Sequence, residues 1–254
     1  VGKVIFNADD FGYSEGVNYG IVDAYSKGIL TSTTLMANMP GFDHAVSLSK
    51  EFPGLGIGVH LTLTCGKPLL QNVDSLIENG NFKKLSFYQE EFQIDLDELY
   101  QEWDTQIQKV YRSGIIPSHL DSHHHTHTFS DNQKVVVELA KKYDLPVRGN
   151  FERKDKVKST ACFEPYFDIV GEPENSMEYV GTSLEEYLDK LIVKLKNTES
   201  IEIMCHPAYI DEALLTGSSF VIPRAYQTTF LIQSKFAEMM QSDKDIQLVN
   251  FHHI

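Results

Sequence analysis

A chain of 254 residues with 42% hydrophobic and 23% charged side chains can bury one large core. Its formal charge of −14 disfavours nucleic-acid phosphates and anionic membranes as partners, and leaves neutral or cationic ligands as the better match. Cys65, Cys162 and Cys205 are odd in number and lack CxxC spacing, which argues against a disulfide framework and a thiolate zinc site and fits a reduced, cytoplasmic setting.

The opening Val1-Gly2-Lys3-Val4-Ile5-Phe6 is too short and too quickly polar for a signal peptide, and no apolar run approaches the ~20 residues that cross a bilayer. Val4 to Asn7 reads as a strand. Ser14 can cap a helix that places Val17, Ile21, Ala24 and Tyr25 on one face and stops near Gly28. Ile29 to Met36 is strand-like, Asp43 to Phe52 helical, and Leu55 to Leu63 strand-like again.

Asp95-Leu96-Asp97-Glu98 has capping-box spacing and opens a helix whose stripe carries Leu99, Trp103, Ile107, Val110 and Tyr111. A His-rich strand follows from Ile115, then a helix from about Asp131 to Tyr143 and the short run Pro146-Val147-Arg148. Ser183 and Glu186 repeat the capping pattern ahead of Tyr187, Leu188, Leu191, Ile192 and Leu195. Ile201 to His206 reads as a buried strand ending at Pro207, Arg224 to Met240 as a last helix, and Ile246 to Asn250 as a final strand.

This alternation implies parallel strands joined by right-handed crossovers. Neither GxGxxG after the first strand nor GxxxxGK[ST] occurs, which disfavours a nucleotide-binding open sheet. The expectation is an α/β fold: a single distorted, TIM-barrel-like (β/α) barrel forming one domain over residues 1–254. Gly66 to Gln93 and Phe151 to Val180 break the pattern and are expected to be long βα insertions that wall the site.

The chemistry-bearing residues fall at strand ends. Half of the ten histidines lie between His119 and His127, a composition that no hydrophobic core needs. Asp9 and Asp10 follow the first strand, His60 ends the strand from Ile57, and His206 ends the strand from Ile201. Each alone has a plain reading as a cap or a core residue; four strand ends together suit a barrel-mouth active site. In an extended strand His119 and His123 would lie roughly 13 Å apart, too far to share one ion at bonds of ~2 Å. His119, Asp121, His123 and His125 would share a face. A metal could take one or two of these imidazoles, plus His60 and one aspartate; with one of them, two histidines and one carboxylate make an open site and leave the other aspartate free to act as a base.

Asn7-Ala8-Asp9-Asp10-Phe11-Gly12, Thr31-Ser32-Thr33-Thr34, Gly58-Val59-His60-Leu61-Thr62-Leu63-Thr64, His119-Leu120-Asp121-Ser122-His123-His124-His125 and Cys205-His206-Pro207 resemble, in order and approximate spacing, the YdjC-like carbohydrate deacetylases. The resemblance implies a barrel-like fold related in chemistry to NodB-type polysaccharide deacetylases. It also implies one divalent metal ion, and removal of acetyl groups from N-acetylated sugars such as diacetylchitobiose. Carried over by position, it makes Asp10, His60 and His123 the metal ligands, with His125 as an alternative to His123. Asp9 becomes the general base, His206 the general acid, Arg148 the arginine that orients the base, and Asp121 a partner of a ligand.

Two histidines and a carboxylate suit Zn2+, and a water-rich octahedron would suit Mg2+. Tyr13, Tyr209 and Trp103 are candidates to stack on a small oligosaccharide substrate, although the helix stripe favours a core role for Trp103. Rival readings are a phosphoesterase using the same cluster, which would need more Lys or Arg near the metal, and a non-catalytic metal- or sugar-binding protein. No nucleic-acid or membrane partner is expected, and a homodimer is the default assembly.

Overall fold

The computed structural model describes residues 2–171 and 183–254. Its main elements in chain order are β1 (Gly2–Phe11), α1 (Glu15–Lys27), β2 (Ser32–Leu35), α2 (Phe42–Ser49), β3 (Gly56–Leu61), β4 (Ile77–Glu78), β5 (Asn81–Phe82), α3 (Leu85–Tyr88) and α4 (Leu96–Arg112). They continue with β6 (Leu120–Ser122), α5 (Asn132–Tyr143), β7 (Cys162–Glu164), α6 (Leu184–Asn197), β8 (Ser200–Cys205), α7 (Glu212–Gly217), α8 (Ile222–Gln233), α9 (Lys235–Ser242) and β9 (Ile246–Leu248).

Seven strands form one sheet in the order β6-β3-β2-β1-β8-β7, with β9 against the start of β1, and every described pairing in it is parallel. Strands β1, β3 and β8 are buried almost throughout: Val4, Phe6 and Ala8 belong to the main core, while Ile5 on the other face packs with Val249 and Phe251. The sheet curls into a half-barrel. Between its ends stands the 146–148 segment, held to Leu120 by an isolated bridge, in which the Arg148 N–H donates to the Leu120 carbonyl, and on its other side by the Val147 N–H to the Lys158 carbonyl.

Local chemistry explains the boundaries. Ser14 accepts from the Val17 N–H at the start of α1 and Asp95 from the Asp97 and Glu98 N–H groups at α4; Ser183 does the same for Glu186 at α6. Three expectations change. β1 runs on to Phe11, so Asp9 and Asp10 stand inside the strand's last turn of pleat instead of following it. The stretch from Arg224 to Met240 is two helices, because Ser234 is extended and caps α9 through the Ala237 N–H. The His-rich strand stops at Ser122, and His123 to Thr128 coil into a 3-10 turn with His124 and His125 in left-handed backbone.

Trp103 is core, as its stripe implies: it is fully buried and its Nε1–H reaches the Thr62 carbonyl. Beside it, Gln106 accepts from the Thr62 N–H and donates to the Thr62 carbonyl, fixing the chain just after His60. Buried Glu102 accepts from Leu69 N, Leu70 N and Gln106 Nε2. This polar clamp ties the 66–93 insertion, with its β4–β5 hairpin, to α4.

Candidate metal centre and acid–base pair

The carboxyl ends of β1, β3, β6 and β8 surround a cavity of about 500 Å³ lined by Asp9, His60, His123, His206 and Arg224 among others. Successive strand residues point to opposite faces, yet Asp9 and Asp10 both reach His60. The reason is local: Asp10 takes a φ of 71°, which turns its side chain back toward the cavity. Its Oδ1 lies 3.3 Å from His60 Nε2 and 2.9 Å from His123 Nδ1. Its Oδ2 accepts from Arg224 Nη2 at 2.7 Å.

These positions suit a divalent ion. Donors bonded to one ion at ~2.1 Å and separated by 90–109° lie about 3.0–3.4 Å apart, close to the two spacings just given. The outer nitrogen of His60, Nδ1, donates to Asp121 Oδ1 at 2.7 Å, and Thr34 Oγ1 donates to Asp121 Oδ2 at 3.0 Å. A carboxylate behind a ligand imidazole fixes its tautomer and orientation. Burial disfavours a charged His60, but Asp121 and then Asp9 outweigh it and push its pKa up to about 10. The same carboxylates, Asp9, Asp10 and Asp121, supply the negative field a divalent cation needs.

Asp9 is fixed differently. Arg148 Nη1 donates to its Oδ2 at 2.8 Å and Nη2 to its Oδ1 at 2.6 Å, while Asn7 Nδ2 adds a bond to Oδ1 at 3.0 Å. Burial favours the neutral acid, yet the Arg148 guanidinium wins and holds Asp9 well below the usual carboxylate range. His206 Nε2 lies 3.9 Å from Asp9 Oδ2, and its Nδ1 pairs with Asp168 Oδ1 at 2.9 Å. Burial opposes the imidazolium, but Asp168 raises the His206 pKa above its ordinary value. Gln227 holds both members, donating to Asp168 Oδ1 and accepting from the His206 N–H.

All six expected site residues meet here: Asp9, Asp10, His60, His123, Arg148 and His206. Asp121 stands behind His60, as a ligand's partner would. The shared strand face expected for the His run holds for His119 and Asp121 but not beyond, because the turn at His123 sends the later imidazoles elsewhere. His119 is fully buried and stacks on Phe251 at 3.7 Å, and His127 lies between Ser122 and Asn150. His124 meets Thr64, while His125 lines the cavity edge-on to Phe163.

The expected walls are also revised. Among the described residues, 66–93 contribute nothing to the lining, and the 151–171 stretch contributes Asp168; residues 172–180 of that insertion lie outside the described residues. Instead Gly217 to Phe220 and Arg224 close that side. Tyr13 lines the cavity, whereas Tyr209 is exposed and bonds to Asp23. Asp168, Arg224, Gln227 and Glu202 were not singled out for the site, and none stands in a motif that would have drawn attention to it.

A family profile described as YdjC-like protein matches residues 3–242. The chain belongs to that family. It is 44% identical to a carbohydrate deacetylase of Halalkalibacterium halodurans (93% of this chain, 98% of the relative) and 38% identical to one of Clostridium beijerinckii (99% and 100%). A crystal structure from Enterococcus faecalis V583, provisionally described as a cellobiose-phosphate cleavage protein, superposes with a TM-score of 0.86 at 34% identity, covering 99% of this chain and 98% of that one. Among the described residues, no helix of this YdjC-like protein is long and apolar enough to cross a membrane.

Proposed function

We propose that this chain is a metal-dependent hydrolase that removes acetyl groups from small N-acetylated sugars, chito-oligosaccharides such as diacetylchitobiose, and releases acetate. The observation that carries this reading is an arginine-clamped carboxylate facing a carboxylate-backed imidazole at the edge of the candidate metal triad. Asp9 Oδ2 lies 3.9 Å from His206 Nε2 and 4.0 Å from His60 Nε2. The relatives' names, carbohydrate deacetylase, support the coarser part of this reading, deacetylation of a sugar. In this reading the half-barrel is a reduced TIM-like barrel, and residues 1–254 are one catalytic domain.

Asp10 Oδ1, His60 Nε2 and His123 Nδ1 would hold the ion. When bound, a divalent cation polarises the acetamide carbonyl and makes a water acidic enough to attack it near neutral pH. Asp9, kept ionised by Arg148, accepts a proton from the attacking water. His206, kept protonated by Asp168, donates a proton to the sugar nitrogen as the C–N bond breaks, so that an amine leaves. Acetate and an amino sugar result. The donor set, two nitrogens and one oxygen, suits Zn2+; Mg2+ would complete an octahedron mostly with water.

A phosphoesterase is the weaker reading, because both arginines of the site are committed to carboxylates: Arg148 to Asp9, Asp121 and Glu202, and Arg224 to Asp10. Acetate release from diacetylchitobiose, measured after chelation and after restoring Zn2+ or Mg2+, tests the proposal. Metal-dependent cleavage of a phosphate ester without acetate release would replace it.

A further inference from the structure

Arg148 has no exposed surface, yet it is surrounded by more negative charge than its pairing with Asp9 requires. Its Nε donates to Glu202 Oε1 at 2.8 Å, and its Nη2 lies 2.9 Å from Asp121 Oδ2. One guanidinium thus faces three buried carboxylates, contributed by β1, β6 and β8. Asp9 and Asp121 have further partners. Among the described residues Glu202 has only Arg148, and its Oε2 is buried without a hydrogen-bond partner. Unsatisfied buried carboxylate oxygens are costly, which makes this one a feature to be explained.

Position supplies the explanation. Glu202 lies across the sheet from Ile5 of β1 and Phe163 of β7, one layer below the strand ends that carry the site. A nitrogen of His119 and one oxygen each of Asp121 and Glu202 lie within 4.8 Å of one another, and His119 Nε2 is likewise buried without a partner. A second cation there is disfavoured, because the Arg148 guanidinium, on Glu202 Oε1 and Asp121 Oδ2, already places a positive charge in the cluster. The groups facing Glu202 are therefore Arg148 from the 146–148 segment, His119 and Asp121 at β6, and Asp9 of β1.

We infer that Glu202 is a positioning residue: by holding the Nε edge of Arg148 from below, it aims the guanidinium's two outer nitrogens at Asp9 and sets how strongly Arg148 draws charge from that base. The linkage runs Glu202 to Arg148 to Asp9, and Glu202 itself touches neither substrate nor metal ligand. A charged Glu202 shares the positive charge of Arg148, leaving Asp9 the better proton acceptor. A neutral one leaves the full guanidinium charge on Asp9 and weakens it. Burial, with Asp121 and Asp9 adding to it and Arg148 opposing, pushes the Glu202 carboxyl up to about 7, so both states are populated near neutral pH.

This inference rests on the proposed deacetylase reading for its kinetic arm only. Glu202→Gln keeps the acceptor for Arg148 Nε and the side-chain shape while removing the charge. The variant is expected to keep its melting temperature and its Zn2+ affinity within about twofold, with KM unchanged. Its kcat should match wild type at pH 6 and fall about tenfold below it at pH 8.5, a change of ~1.4 kcal/mol in barrier. Independently of turnover, the buried Arg148 Nε–H resonance should titrate near pH 7 in the wild type and stay fixed in Glu202→Gln. A kcat ratio that does not change with pH, or an Nε–H signal that titrates equally in both proteins, overturns the inference. Glu202→Leu, which removes the acceptor as well, should lose more activity; if it does not fold, Glu202→Gln still decides. Absence of acetate release by the wild type would instead remove the functional reading and leave the resonance test standing.

Discussion

On the β1–β3–β6 side of the cavity, His60 and Asp121 are paired partners in the β3–β6 ladder, Asp10 stands where the β1–β2 register shifts, and His123 lies one residue beyond β6. On the β8 side, His206 follows the strand and depends on Asp168 and Gln227, which a loop and a helix bring from 38 and 21 residues away. The first side gathers donors for an ion; the second tunes a proton donor. Rigid ladders suit the metal, because ligand positions must be held to fractions of an ångström. The acid needs only an imidazole with the correct affinity for its proton, and side chains from less regular elements can supply that.

The comparison can be broken at its strongest point first. Asp9→Asn should lower acetate release by at least about a thousandfold while metal affinity, measured by calorimetry, changes only a few-fold. Turnover near that of the wild type would remove Asp9 as the base. His60→Ala should abolish tight metal binding, and Asp121→Asn should weaken it about 10–100-fold, because the carboxylate that orients His60 is then lost. If Asp121→Asn binds metal normally, Asp121 does not set the orientation of His60 as a ligand.

On the acid side, Asp168→Asn should lower kcat about 10–100-fold without changing metal affinity. The direction with pH follows from the raised pKa of His206. Asp168 keeps the imidazole protonated to higher pH, so removing it should move the alkaline limb of the pH–rate profile to lower pH. A limb that stays in place separates Asp168 from the acid. The smallest effect belongs to neither side: Ser234→Ala should cost about 1 kcal/mol through the α9 cap, lowering Tm by ~2–4 °C with kcat unchanged.

The same division explains what could be read from the chain alone. Asp9, Asp10, His60 and His206 were visible because each sits at the end of a short apolar run, and parallel strands bring such ends together. Asp168, Arg224 and Glu202 were not. Asp168 follows an irregular stretch, Arg224 looks like an ordinary first-turn helix residue, and Glu202 alternates with apolar neighbours in a strand where a carboxylate would be expected only at a surface. Their roles come from partners that are distant in sequence: Arg224 meets Asp10 across 214 residues, and Glu202 meets Arg148 across 54. The His run misled in another way. Its alternation suggested a strand, but left-handed backbone at His124 and His125 ends the pleat, a conformation that single-residue propensities do not favour for histidine pairs.

The left-handed joint at Asp10 also bears on the order of folding. Such a backbone costs about 1–2 kcal/mol, and the dipeptide adds repulsion between adjacent carboxylates. Nearby in the chain, Asn7 donates to Asp9 and the Tyr13 N–H to the Asp10 carbonyl, but neither group carries charge. Arg148 and Arg224, the side chains that neutralise the pair, lie 139 and 214 residues further on. A chain that has built its central strands but not yet docked α8 holds an unfavourable corner at the end of β1. That corner should settle late, so appearance of the metal-binding signal during refolding would mark completion of the native state, after the burst of secondary structure.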